Sequence, residues 1–178
     1  MSSKGLFSFP NPVNDVAART VASGVVVMAA LVAVTGWGWV LVPLTYGFVA
    51  RVLTGPTLSP LGQLATRVVA PALPQHAKLV PGPPKRFAQG IGVAFTVTAS
   101  VLWLAGAPGA ARVVVALLLG AAFLEAALGF CLGCTIFGLL MRLGVIPQSV
   151  CEECNDLSLR WARAEAGDVA SRVSEPAL

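Results

Sequence analysis

Charge is what this chain has least of. Acidic and basic residues together make up 11% of its 178 positions, against roughly 25% in soluble domains. That scarcity excludes a surface solvated on all sides. No stretch interleaves aromatic with basic residues, so the net charge of +4 and the pI near 9.2 do not point to nucleic acid. Histidine occurs once, as His76 in Pro74-Gln-His-Ala-Lys78. A lone histidine in a basic loop is read first as a solvated side chain and second as a metal ligand or proton carrier. Nothing before Arg19 has the apolar run of a cleaved signal, so the N-terminus is expected to be retained.

What the chain has instead is hydrocarbon. Hydrophobic residues make up 56% of it and the mean hydropathy is +0.80, with the apolar residues in long runs. An integral membrane protein follows, with the lipid bilayer as its first partner. Crossing a hydrocarbon core of about 30 Å takes roughly 17 to 25 helical residues, and four segments qualify. The first runs from about Val16 to Thr35, with Asn14 or Asp15 placed as its cap and Gly36 at its end. The second, Trp37 to about Leu53, follows so closely that the two predict a tight hairpin. The third runs from Phe87 to Ala105 after Pro81-Gly-Pro-Pro84, and the fourth begins near Ala110. Apolar residues continue from Val113 to Met141, a helix of roughly 43 Å that is too long for one untilted span. Gly129 and Gly133 are the natural break points.

The basic residues orient these spans. With a cytoplasmic N-terminus, Lys4, Arg19, Arg51, Arg67, Lys78, Lys85, Arg86, Arg142, Arg160, Arg163 and Arg172 all lie inside and Arg112 alone lies outside. Trp37, Trp39 and Trp103 then gather at the outer interface. The expected fold is an all-α, four-helix transmembrane bundle with an interfacial amphipathic helix and a cytoplasmic cysteine-bearing tail. Residues 1–15 form the cytoplasmic N-terminal segment, 16–143 the four-span domain with an inner loop at 54–86, and 144–178 the cytoplasmic C-terminal segment. Both termini are expected on the cytoplasmic side of a bacterial inner (plasma) membrane. In the inner loop, Ser59-Pro60 caps a segment in which Leu61, Leu64, Ala65, Val68, Val69, Ala72 and Leu73 recur at helical spacing. This predicts a helix lying in the interface or packed on the inner end of the bundle. Leu157 to Val173 has a charged helical pattern and predicts a cytoplasmic helix or frayed tail.

Chemistry is concentrated in the four cysteines, Cys131-Leu-Gly-Cys134 and Cys151-Glu-Glu-Cys154. Cys131 lies eighteen residues beyond Val113, about 27 Å along a helix, which brings it to the cytoplasmic interface. Two C-x-x-C pairs sixteen residues apart have the spacing of a zinc ribbon. Four thiolates could equally hold an iron–sulfur cluster. A C-x-x-C beside an apolar helix is also the format of a redox dithiol, in which one acidified thiol attacks a disulfide or persulfide and its neighbour resolves the mixed species. In that reading Cys131 and Cys134 are the membrane pair and Cys151 and Cys154 the shuttle. The bland alternative makes Cys131 and Cys134 small apolar residues. In a reducing cytoplasm a disulfide is the least expected resting state of either pair.

Glu125 is the other conspicuous residue. It lies about twelve residues into the fourth span, where a carboxylate must be protonated or paired. A hydrogen bond to Thr45, Tyr46, Thr96 or Thr98 on another helix is the structural expectation, and a proton relay the functional one. Helical phase aligns Glu125 with Leu128, Gly129 and Leu132 and away from both cysteines, unless the helix breaks at Gly129.

Three stretches, Phe9-Pro-Asn-Pro-Val-Asn14, Gly82-Pro-Pro-Lys-Arg-Phe-Ala-Gln89 and Gly129-Phe-Cys-Leu-Gly-Cys134 followed by Cys151-Glu-Glu-Cys154, resemble the bacterial membrane family catalogued as domain of unknown function 4395. The resemblance spans about residues 9 to 156 and implies a four-span topology with paired cysteines. The company that family keeps, rhodanese-like and thioredoxin-like proteins, implies a part in sulfur or thiol metabolism and a partner of one of those types. The vitamin K epoxide reductase type also has a C-x-x-C near a span end. Here the second pair follows the last span and the expected side is cytoplasmic, which argues against a quinone-linked role. The expected function is thiol-redox or sulfur handling, as a thiol–disulfide or sulfur-transfer activity. The alternatives are a non-enzymatic membrane subunit whose four cysteines hold zinc or an iron–sulfur cluster, and a small transporter using Glu125.

Overall fold

The computed structural model describes residues 9–73 and 78–151. His76, Cys154 and the charged segment from Leu157 to Val173 lie outside the described residues. Helix α1 (Asp15–Thr35) starts where the Asn14 side chain accepts the Val16 N–H at 2.9 Å, so Asn14, of the two candidates, is the cap. It stops at Gly36, whose φ of 74° lets its N–H turn back to the Val32 carbonyl. A 3-10 turn (Gly38–Val40) leads into α2 (Leu41–Thr54). The inner loop folds as α3 (Pro60–Leu64), a π-helical stretch (Ala65–Val69) and α4 (Ala70–Ala72). Ser59 Oγ caps α3 by accepting from the Gly62 N–H, with Pro60 next in the first helical position. Helices α5 (Gly82–Leu104), α6 (Pro108–Leu128) and α7 (Leu132–Arg142) follow, and then a 3-10 turn (Gln148–Cys151).

Three helices, α1, α5 and α6, are long and apolar enough to cross a membrane, at 21, 23 and 21 residues. Gly38–Thr54, expected as the second span, is shorter. Helix α5 starts five residues before the expected Phe87, because Pro83 and Pro84 occupy its first turn, where a missing N–H leaves no bond unmade. Helix α6 ends at Leu128, and Gly129, with φ of 68°, breaks the long apolar run.

Each long helix buries one stripe. On α5 it is Lys85, Gly92, Thr96 and Ala99; on α6 it is Ala111, Val115, Leu118 and Ala122. Both stripes follow the spacing of four and three residues that returns to one helical face. Small residues on them allow close approach. A Cβ on Gly92 would stand 2.1 Å from the Phe48 ring. The opposite faces leave Val27, Val34, Val97, Val113 and Leu117 exposed, as lipid-facing surfaces do. Helix α1 lies along α6, α6 along α5, and α5 along α2, whereas α1 and α2 meet little. The expected hairpin of the first two spans is therefore not a packing unit: their short connection joins two helices whose buried stripes face α6 and α5.

Arginine latches close both ends of the α1–α6 pair. Arg19 donates to the carbonyls of Ala126 and Ala127 at the end of α6, and Arg112 donates to Ala33 and Val34 at the end of α1. Each guanidinium satisfies carbonyls that a helix end leaves without partners. Trp103 packs against Gly38 at the Arg112 end, beside exposed Trp37 and Trp39. At the other end, β1 (Val13–Asn14) pairs antiparallel with β2 (Leu79–Val80), and Asn11 Oδ1 accepts the Gly82 N–H at 2.9 Å. This short ladder pins the start of α1 beside the start of α5. The inner-loop helix does not gather its apolar residues on one face: Leu61 and Ala65 pack on Ala17 and Val21, while Leu64, Val68 and Leu73 face outward.

Candidate functional site: a dithiol beside a buried lysine

The break at Gly129 builds the site. Residues 129–131 run irregularly between α6 and α7, Cys131 takes the extended N-cap conformation (φ −92°, ψ 104°), and its carbonyl accepts the Thr135 N–H at 3.1 Å. Cys131 therefore stands at the N-terminus of α7 and Cys134 in its first turn. The new helix starts with its own phase, so the alignment that kept Glu125 away from the cysteines no longer applies. Helix α7 is fixed against α5 by Gly133, where a Cβ would come within 2.5 Å of the Ala88 Cβ, and by the Phe87–Phe137 ring pair at 5.6 Å between centroids.

Glu125 has a different partner from those expected. Its Oε1 accepts from Lys85 Nζ at 2.7 Å, and Asp15 Oδ1 lies 3.7 Å from the same nitrogen. Thr45 meets Ser100, Tyr46 donates to the Leu58 carbonyl, and Thr96 donates to the Gly92 carbonyl of its own helix. Lys85 is only 6% exposed. An ammonium withdrawn this far is tolerated because two carboxylates face it. The three charges come from the starts of α1 and α5 and the last turn of α6, brought together by the β1–β2 ladder and the α5–α6 packing.

Cys131 and Cys134 lie next to this cluster, outside the spans. Both are free thiols, and both line a cavity of about 360 Å³ together with Asp15, Lys85 and Gly129. A hydrogen bond from the Cys134 thiol holds Cys131 below the ordinary thiol pKa, against the opposing effects of burial and of Glu125; the Lys85 ammonium and the Cys134 backbone N–H assist. Cys134 is pushed up by the same thiol–thiol bond and by burial. One thiol of the pair is thus set to ionise and the other to remain protonated. A second cavity, about 240 Å³ and largely apolar, reaches Cys131 and Glu125 from within the bundle.

The second motif lies against the same helix. Cys151 is buried on Phe137 and Met141 of α7, which share the helical face of Cys134 at spacings of three and seven residues. It is disulfide-bonded, contrary to the resting state expected for a reducing compartment. Neither Cys131 nor Cys134 is its partner, since both are free. Among the described residues, no three metal-ligating side chains converge.

Sequence reasoning missed Lys85 and Asp15. By charge alone Lys85 is one more inner-side cation, yet with Gly92, Thr96 and Ala99 it follows the buried stripe of α5, a signal the sequence carries. Asp15 had no such signal, because its place depends on the ladder that holds Asn14 beside Leu79.

Fold and site define a helical membrane protein with a dithiol at one end of its bundle, beside a buried lysine. The chain belongs to the family described as Domain of unknown function (DUF4395), which matches residues 13–142. The matched region takes in Asp15, Lys85, Glu125, Cys131 and Cys134 and ends before Cys151. No curated protein and no solved structure matches the chain.

Proposed function

We propose that this protein is a thiol–disulfide exchange or sulfur-handling enzyme of the bacterial plasma membrane, working at the cytoplasmic face. The observation that carries this reading is the C-x-x-C pair at the start of α7, with Cys131 at its N-cap and Cys134 in its first turn, on the wall of one cavity with Lys85. In the forward reaction the Cys131 thiolate attacks one sulfur of a partner's disulfide, forming a mixed disulfide and releasing the partner's other sulfur as a thiolate. Cys134 then gives up its proton, attacks Cys131 Sγ and releases the partner's second thiolate. The products are the Cys131–Cys134 disulfide and a partner dithiol; two electrons and two protons have moved. Lys85 stabilises the attacking thiolate, while Glu125 and Asp15 hold the ammonium in place. A thioredoxin-like or rhodanese-like protein is the fitting partner, the latter presenting a persulfide to the same nucleophile.

The burial of Cys151 on Phe137 and Met141, on the helical face of Cys134, supports a relay in which the second motif passes electrons to or from the first. In this reading Gly38–Thr54 completes a fourth span, both termini are cytoplasmic, and α3 and α4 lie at the inner interface with Leu64 and Val68 toward lipid.

The test is the pH dependence of iodoacetamide alkylation at Cys131. The inflection is expected below the ordinary thiol value of 9.0. It should move up in Cys134→Ala, which removes the donor holding the thiolate, and up by less in Lys85→Met. An inflection at or above 9.0 in the native protein, or no upward movement in Cys134→Ala, would refute the assignment. A free-thiol count and metal analysis on protein purified without chelator separate the dithiol from a metal centre.

A further inference from the structure

Among the described residues, the second buried cation has no carboxylate within ion-pair distance, and Glu125 acts on it only from further away. Arg51, on the buried stripe of α2, is 5% exposed. Its Nε donates to Gln89 Oε1 at 2.9 Å, its Nη1 to Ser59 Oγ at 3.3 Å, and its guanidinium lies 4.7 Å over the Phe48 ring. Gly47 leaves room for this pose, since a Cβ there would stand 3.1 Å from Nη1. Nη2 is buried and has no hydrogen-bond partner among the described residues. An arginine fixed on three sides with an unmatched charged donor is unfavourable unless something accepts from it.

A cavity of about 240 Å³ adjoins this arginine, between the segment before α1, α1 itself, the inner loop and α5. Arg51, Lys85 and Gln89 are on its wall, and no aspartate or glutamate is. The rest is mainly hydrocarbon, including Pro12, Val13, Ala17, Ala18, Val21 and Pro56. A small inorganic anion would satisfy the guanidinium and leave that apolar wall facing water. A neutral lipid would do the reverse. We propose that the cavity binds the oxyanion head of an acyl-chain amphiphile, with Arg51 Nη2 donating to the oxyanion and the first methylenes against the apolar wall. Two sources supply this chemistry, the carboxylate of a free fatty acid and the phosphate of an anionic phospholipid. The inference is independent of the thiol chemistry.

The experiment uses the full-length protein stripped of lipid in an uncharged detergent, with thermal unfolding followed by tryptophan fluorescence. The probes are palmitate, phosphatidylglycerol, hexadecanol and inorganic phosphate. Palmitate or phosphatidylglycerol is expected to raise the unfolding midpoint, and whichever does so at the lower concentration identifies the source. Hexadecanol and inorganic phosphate are expected to do nothing. Arg51→Met should weaken the amphiphile by about ten-fold or more, as loss of a charge-assisted hydrogen bond does. Ala18→Phe, which fills the cavity and leaves Arg51 in place, should do the same. Equal protection by hexadecanol or by inorganic phosphate, or undiminished affinity in either variant, would overturn the proposal. The comparison of probes on the native protein decides it even where a variant does not fold.

Discussion

Lys85 is the residue on which the site's electrostatics turn. Its ammonium lies 2.7 Å from Glu125 and 3.7 Å from Asp15, so removing it leaves two carboxylates facing each other with no cation between them. Breaking a buried pair from one side strands the surviving charge. Lys85→Met is accordingly expected to cost about 3 kcal/mol of stability, read as a lowered midpoint of thermal unfolding in detergent. Glu125→Gln should cost about 1 kcal/mol, because the amide oxygen still accepts from the ammonium and Asp15 remains. The reverse order of the two variants would show that Glu125 does not depend on Lys85. Glu125 itself was legible in the sequence as a carboxylate that must be matched. Its match was not, because helical phase along one chain says nothing about which neighbouring helix lies opposite.

At the scale of elements, the α1–α6 pair is closed by two arginines that a sequence reading treats only as markers of sidedness. Arg19 and Arg112 sit near the start of their helices and reach the last carbonyls of the antiparallel neighbour. The two latches stand about 21 Å apart, 14 residues of helical rise from Arg19 to Ala33 on α1 and from Arg112 to Ala126 on α6. Both are exposed, so each alanine substitution is expected to cost no more than about 1 kcal/mol. At this separation the double variant should show the sum of the two to within about 0.5 kcal/mol. A marked departure from additivity in urea or thermal unfolding would mean that the two ends communicate through the helices. Gly129 works at the same scale. By ending α6 in the left-handed conformation it sets a fresh helix start at Cys131, and a continuous helix through this point would have carried the thiols away from Lys85.

Across the described residues, one end of the bundle carries Trp37, Trp39, Trp103 and Arg112, and the other carries the β1–β2 ladder, the charge cluster, Cys131 and Cys134. The proposed orientation puts the second end in the cytoplasm. A membrane-impermeant maleimide, applied after mild reduction, should therefore label the cysteines only once the cells are opened, and labelling in intact cells would invert the topology. Not every cation counted for this orientation is a solvated flanking charge. Arg51 and Lys85 are buried partners in the interior and not solvated flanking charges.

Composition and periodicity by themselves determined that the chain is helical with membrane-length apolar helices, where those helices run to within about five residues, that Gly36 and Ser59 punctuate it, and that a cap lies at Asn14 or Asp15 and a break at Gly129 or Gly133. These are local matters: a cap, a glycine turn and an apolar run depend on neighbours a few residues away. Tertiary structure alone decided that α1 pairs with α6 instead of α2, that Asp15, Lys85 and Glu125 meet across about 110 residues of chain, and that their ammonium stands beside the thiols. Such contacts depend on which buried stripe faces which. Stripes of small and aliphatic residues at the same heptad spacing on several helices are interchangeable as sequence, and only their simultaneous packing selects one arrangement.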